Sequence, residues 1–98
     1  MNTVFYQDDN DRNYYCMDFS THQSMASGDT ITGLPIVTSE IRGGFTSDLN
    51  ITDISASGHY VCMWVSGGTA LRTYKIEVLA NTLNGLTLEG DGYITIGD

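Results

Sequence analysis

Between His59 and Val78 the residue character alternates with a period of two, and this pattern constrains the fold more than any other feature of the sequence. One side of the first run carries Tyr60, Cys62 and Trp64, and the other carries Val61, Met63 and Val65. Such a period indicates a β-strand, because successive side chains of a strand point to opposite faces. The second run, 72–78, places Tyr74, Ile76 and Val78 on one side. The connection Ser66-Gly67-Gly68-Thr69 predicts a hairpin, since glycine readily takes the positive φ of tight turns.

Shorter runs of the same kind lie on either side of this pair and are separated by turn residues. They cover residues 13–19, 29–37, 49–55 and 86–96. Tyr60, two residues before Cys62, is typical of an immunoglobulin domain. Six or seven strands at spacings of about ten residues therefore predict an all-β, immunoglobulin-like β-sandwich of about seven short antiparallel strands.

Local features refine this pattern. In the run 49–55, Leu49, Ile51 and Asp53 fall on one side, and Ile54 falls on the other. Pro35 predicts an edge strand or a break, because proline has no N–H to donate to a sheet ladder. The segments NTLNG and EGDGY predict turns.

The chain length and charge limit the domain organisation and the partners. With 98 residues the chain predicts one domain, residues 13–98, preceded by a flexible acidic arm at 1–12. The formal charge of −8 disfavours nucleic acid, because a surface this acidic repels phosphates. No run approaches the ~20 apolar residues of a membrane span. The N-terminus has acids where a signal peptide needs a basic start, so we expect folding in the cytoplasm.

The two cysteines leave three alternatives. Cys16 and Cys62 can form a bridge, contribute half of a metal site, or pack as reduced small hydrophobes. Structural zinc needs four ligands, and only two isolated histidines accompany the cysteines. Because cytosolic thiols stay reduced, the sequence favours reduced, packed cysteines.

Candidates for chemistry are sparse. His22 and His59 have no nucleophile or acid at motif spacing, so we expect no catalytic residues and no enzyme. The acidic stretch 8–11 and the segment EGDGY offer carboxylates for a cation, but a solvated arm and a turn account for them; we expect no metal or cofactor. Trp64 and Tyr74 are predicted to pack in the core.

Several short motifs occur in an order that resembles a known family. They are GDTI at 28–31, YVCMWVSGGTA at 60–70, Tyr74, and Thr82 with Gly85. Together they resemble the small bacteriophage virion proteins called fibre–tail adaptors. The chain departs from that family at Leu71 and Leu86, and it has Phe19 and Met25 where the family's first loop has tryptophans.

The resemblance implies an immunoglobulin-like sandwich and a non-enzymatic structural role in the virion, after synthesis in the host cytoplasm. Its expected partners are other virion proteins of the tail, connector, fibre or capsid, met in a symmetric, multi-copy assembly. Two alternatives stay open: a capsid decoration protein, and a secreted immunoglobulin-like adhesion or carbohydrate-binding module. The N-terminal arm and the variable middle supply the candidate partner-binding residues: Phe5, Tyr6, Tyr14, Tyr15, Arg42 and Phe45.

Overall fold

Strands form nearly all of the secondary structure in the computed structural model. The model describes residues 2–8, 12–41, 45–46 and 48–97, with 2–8 and 45–46 described by their backbone alone. The elements in chain order are β1 Asn2–Asp8, β2 Arg12–Asp18, α1 Gln23–Ala26, β3 Ile31–Ile41, β4 Phe45–Thr46, β5 Leu49–Ser57, β6 Tyr60–Gly67, β7 Thr73–Thr82 and β8 Thr87–Gly97. Among these described residues, no helix is long and apolar enough to cross a membrane.

The strands form two sheets with a shared core. The larger sheet has the order β1-β8-β7-β3-β4, and the smaller has the order β2-β6-β5. The predicted all-β sandwich is therefore confirmed, with eight described strands rather than about seven. Neighbouring strands are antiparallel except β1, which pairs in parallel with β8 from Asn2 opposite Asp91 to Asp8 opposite Gly97. This strand occupies part of the segment expected to be a flexible arm, and the domain boundary after residue 12 stays a prediction.

The predicted hairpin at Gly67-Gly68 is wrong. β6 pairs with β2 and β5, whereas β7 pairs with β3 and β8, so the connection carries the chain from one sheet to the other. Both glycines have positive φ, 78° and 87°. A Cβ on Gly68 would lie 3.2 Å from the Tyr74 ring and 3.1 Å from Ile96, so the connection packs directly on the core.

Two β-bulges alter the predicted strand faces. In β5 the register shifts between Thr52 and Ser55, and Asp53 takes a φ of 53°. The extra residue moves Ile54 to the core side, which corrects its predicted placement on the opposite side from Leu49. In β3 the register shifts between Thr32 and Ile36, around Pro35, as expected for a strand break.

The core is built from the apolar side of each alternating run. Its buried members are Met17, Phe19, Met25, Leu49, Val61, Met63, Val65, Tyr74, Ile76, Val78, Ala80, Leu88, Ile94 and Ile96. Met25 enters the core from α1, a single turn that the sequence analysis treated as a polar loop. His22 caps this turn by accepting a hydrogen bond from the backbone N–H of Ser24.

The segment EGDGY is part of β8 and not a turn. Gly90 faces the core, where a Cβ would lie 2.8 Å from Cζ of Phe19 and would also overlap Met17. The glycine therefore provides space for two large side chains of the opposite sheet.

Because this space is already filled, Gly90→Ala is expected to lower the free energy of unfolding by about 1–2 kcal/mol. Urea unfolding followed by Trp64 fluorescence measures the change. Gly85→Ala is no suitable control, because Gly85 has a positive φ of 84°. Ala56→Gly gives the comparison for a β-strand position with ordinary φ, and an unchanged stability of Gly90→Ala would contradict the overpacking.

Candidate functional site

The outer side of the three-stranded sheet carries an exposed group of aromatic and charged side chains. We call it the aromatic face and define it by Arg12, Tyr14, Asp53, Tyr60 and Trp64. Alternation in β2 and β6 directs these positions outward, while the aliphatic positions between them form the core. Tyr14 and Tyr60 are about half exposed, at 50% and 47%. Trp64 was predicted to lie in the core; it lies on this outer side because Val61, Met63 and Val65 occupy the inner one.

Three side chains of this face are in direct contact. Tyr14 lies opposite Trp64 in the β2–β6 register, with ring centroids 5.1 Å apart and planes tilted by 50°. The Arg12 guanidinium lies 4.2 Å from the centre of the Trp64 ring. Tilted aromatic pairs and cation–π contacts each contribute about 0.5–1 kcal/mol at exposed sites. The three side chains are thereby held in one arrangement before any partner arrives.

The bulge in β5 completes this arrangement. Asp53 would face the core in a regular strand, but the extra residue turns it outward, where its carboxylate lies 3.0 Å from the Arg12 guanidinium. Both side chains are at least half exposed, so the ion pair adds little stability. Its effect is to fix the Arg12 side chain over Trp64.

A disulfide bond lies on the same face. Cys16 and Cys62 are directly opposite in the β2–β6 register, with Cα atoms 4.0 Å apart, and their sulfur atoms are bonded. The prediction of reduced, packed cysteines is therefore wrong. The bond joins neighbouring strands of one sheet, in contrast to the inter-sheet bridge of antibody domains. Sequence alone did not show that the two cysteines share a register position.

The GDTI motif forms a hydrogen-bonded junction with the β7–β8 turn. The buried Asp29 carboxylate accepts the backbone N–H groups of Thr30, at 2.9 Å, and Asn84, at 3.2 Å. Burial opposes its charge, but hydrogen bonds from Thr82, Asn84, Thr30 and Ser24 hold the pKa of Asp29 below the usual value. The motif residues therefore support the fold and leave the surface to other positions.

The SGGT motif forms a second junction at the opposite end of β7. The Tyr74 hydroxyl accepts the backbone N–H of Thr69 at 2.7 Å and donates to the Asp48 carboxylate. The Thr69 hydroxyl donates to the same carboxylate at 2.7 Å. The hydrogen bonds from Tyr74 and Thr69 hold the pKa of Asp48 below its usual value.

These junctions explain why the motifs recur together in a family. Residues 7–95 match the family described as Podophage GP4 fiber-tail adaptor protein gp77. The chain belongs to this family. No curated protein matches the chain. The resemblance noted in the sequence is confirmed: the chain is a structural protein of a bacteriophage, of the fibre–tail adaptor type, and membership implies a place in the virion and contacts with its other proteins.

The adaptor's two histidines make backbone contacts. His22 caps α1, and Nε2 of His59 lies 3.1 Å from the carbonyl oxygen of Asp29. Both imidazoles therefore connect segments at one end of the sandwich.

Carboxylates cluster on the outer side of the adaptor's five-stranded sheet. Oxygens of Glu77, Glu89 and Asp91 lie within 4.8 Å of one another, and the Lys75 ammonium lies 3.0 Å from Glu77. A hydrogen bond from Lys75 to Glu77 and the charges of Asp91 and Glu77 raise the pKa of Lys75. Because this ammonium already offsets part of the negative charge, the cluster does not by itself indicate a metal site.

The predicted partner-binding residues of the adaptor lie in three places. Tyr14 is on the aromatic face, and Tyr15 points to the other side of β2, where it packs against the core. Phe5 and Tyr6 lie in β1, at backbone positions opposite Ile94 and Thr95. Phe45 begins β4 opposite Ile41, and Arg42 lies outside the described residues. The structure thus places only Tyr14 of this set on the aromatic face.

Four residues of the aromatic face were missed: Arg12, Asp53, Tyr60 and Trp64. The signal for two of them was present in the sequence, because Val61, Met63 and Val65 are the more uniformly aliphatic side of β6 and predict the inner face. Asp53 gave no such signal, since a bulge changes the face of a residue without changing the pattern.

Proposed function

We propose that this protein is a non-enzymatic adaptor that joins fibre and tail components of the virion through its aromatic face. The observation that carries the proposal is the preformed contact of Arg12, Tyr14 and Trp64 on an exposed sheet surface of a fibre–tail adaptor family member. Tryptophan, tyrosine and arginine are the residues most enriched in binding hot spots. Holding them in place before binding reduces the entropy lost on association.

The charge and size of the chain support the same role. A single sheet face of this length gives a small contact, so each copy binds weakly, and a symmetric assembly of several copies strengthens the attachment. The formal charge of −8 favours neighbours with basic surfaces. The proposed sequence of events is synthesis and folding in the host cytoplasm, followed by incorporation into the particle. Phe5, Tyr6, Arg42 and Phe45 remain proposed contacts outside the aromatic face.

Trp64→Ala is expected to reduce incorporation into particles by at least about tenfold, because a hot-spot side chain contributes about 2 kcal/mol or more. Quantitative mass spectrometry of purified particles measures the number of incorporated copies. Leu83→Ala is the matched control, since Leu83 is 70% exposed and lies in the β7–β8 turn, away from this face. Thermal unfolding of both variants checks that they fold.

Wild-type incorporation of Trp64→Ala would contradict a role for the aromatic face. The copy number in the same particles separates the adaptor from a capsid decoration protein, because decoration requires a copy number near that of the capsid subunits.

A further inference from the structure

The strand β2 is a regular, unblocked edge of the three-stranded sheet. In the described part of the chain, β2 and β5 are the two edges of this sheet. The β5 edge is interrupted by the bulge at Asp53, whereas β2 pairs with β6 from Arg12 to Asp18 without irregularity. Natural proteins usually blunt such edges with prolines, bulges or lysines, because an unblocked edge can pair with another chain. The segment Arg12–Asp18 contains none of these.

The register shows which backbone groups of β2 face the open side. The Cα atoms of Cys16 and Cys62 are 4.0 Å apart, which corresponds to the closer, non-hydrogen-bonded type of antiparallel pair. At such positions the N–H and C=O groups point away from the paired strand. Because the pattern alternates, Tyr14, Cys16 and Asp18 direct their backbone groups toward the open edge.

An apolar crevice opens beside this edge, between the two sheets. Its lining residues are Tyr15, Cys16, Met17, Met63, Ile76, Gly92 and Ile94. The enclosed space is small, about 20 Å³, and the crevice is open to solvent on the side of β2. Gly92 contributes to this space because it has no side chain on the core side of β8.

The larger sheet extends past the smaller one on this side. β2 packs over β8, as shown by the contact of Met17 and Phe19 with Gly90. β1 lies beyond β8 in the larger sheet, and no described strand of the smaller sheet follows β2. One additional strand beside β2 would therefore lie across from β1 and close the crevice.

We propose that an extended segment of a neighbouring virion protein adds to the β2 edge as a fourth strand. This inference rests on the proposed function, and it names how the partner binds. Basic flanking residues suit a chain with a formal charge of −8. The same charge disfavours a second copy of this chain as the occupant.

Two substitutions at one position separate strand addition from side-chain contact. Tyr14→Thr removes the ring and keeps the backbone donor, while Tyr14→Pro also removes the N–H that faces the open edge. Proline is tolerated on the open side of an edge strand, so both variants are expected to fold, and thermal unfolding checks this. We expect Tyr14→Pro to be incorporated into particles at least about tenfold less than Tyr14→Thr. Equal incorporation of the two folded variants would overturn strand addition.

A second measurement uses the wild-type protein and does not depend on any variant. In a cryo-electron microscopy map of the assembled particle, we expect a strand from a different protein beside β2. A strand from another copy of this chain, or an open β2 edge, would overturn the inference. Absence of the chain from the particle would instead contradict the proposed function, so the two failures are distinguishable.

Discussion

Replacing Cys16 and Cys62 together with serine is expected to lower the free energy of unfolding by about 4 kcal/mol. The bond links residues separated by 46 positions, so it excludes many extended conformations of the unfolded chain. The folded state changes little, because the β2–β6 register continues on both sides of the bond through the rungs Tyr14–Trp64 and Met17–Val61. A loss of this size is a large fraction of the total stability of a small domain.

Urea unfolding of the wild-type protein, with and without reductant, measures the same quantity without a mutation. The reduced protein and the double variant are expected to have the same unfolding midpoint, and reductant is expected to leave the double variant unchanged. Alkylation after unfolding, followed by mass analysis, counts the free thiols. Two free thiols in the untreated protein, or equal stability of the oxidised and reduced forms, would refute this expectation.

The sequence predicted the sandwich because alternation with a period of two depends only on local residue character. It failed where the outcome depended on the partner of a strand. The run from His59 to Val78 looks like a hairpin, yet Gly68 packs against Tyr74 and Leu49 and directs the chain into the other sheet. The choice between a hairpin and a crossover lies in these core contacts, which no short stretch of sequence contains.

The candidate site was predictable only in part, for the same reason. Tyr14 was expected to face a partner and is exposed on the aromatic face. Trp64 was assigned to the core by its size, although its position in the alternation placed it outside. Asp53 reaches Arg12 through a bulge, and the cysteines meet through a register that joins residues far apart in sequence. Such long-range geometry has no local signal.

Tyr74→Phe is expected to lower the free energy of unfolding at neutral pH by about 2–3 kcal/mol. The substitution removes a hydroxyl that accepts the backbone N–H of Thr69 and donates to the charged Asp48 carboxylate. A hydrogen bond to a charged group contributes about 1.5–3 kcal/mol, and the Thr69 N–H loses its partner as well. The buried ring keeps its packing, so a cavity does not add to the loss. Tyr14→Phe, which alters an exposed hydroxyl, is the matched control.

The pH dependence of this difference tests its cause. Because hydrogen bonds from Tyr74 and Thr69 hold the pKa of Asp48 below its usual value, the stabilisation is fully present above that value and is lost as the pH falls through the lowered pKa. The stability of Tyr74→Phe should therefore approach that of the wild type as the pH falls below about 4, while the two differ by a constant amount above about pH 5. Chemical unfolding of both proteins between these limits measures the difference. A gap that does not narrow in acid would mean that the tyrosine stabilises the fold through packing or through the Thr69 N–H, and not through the carboxylate.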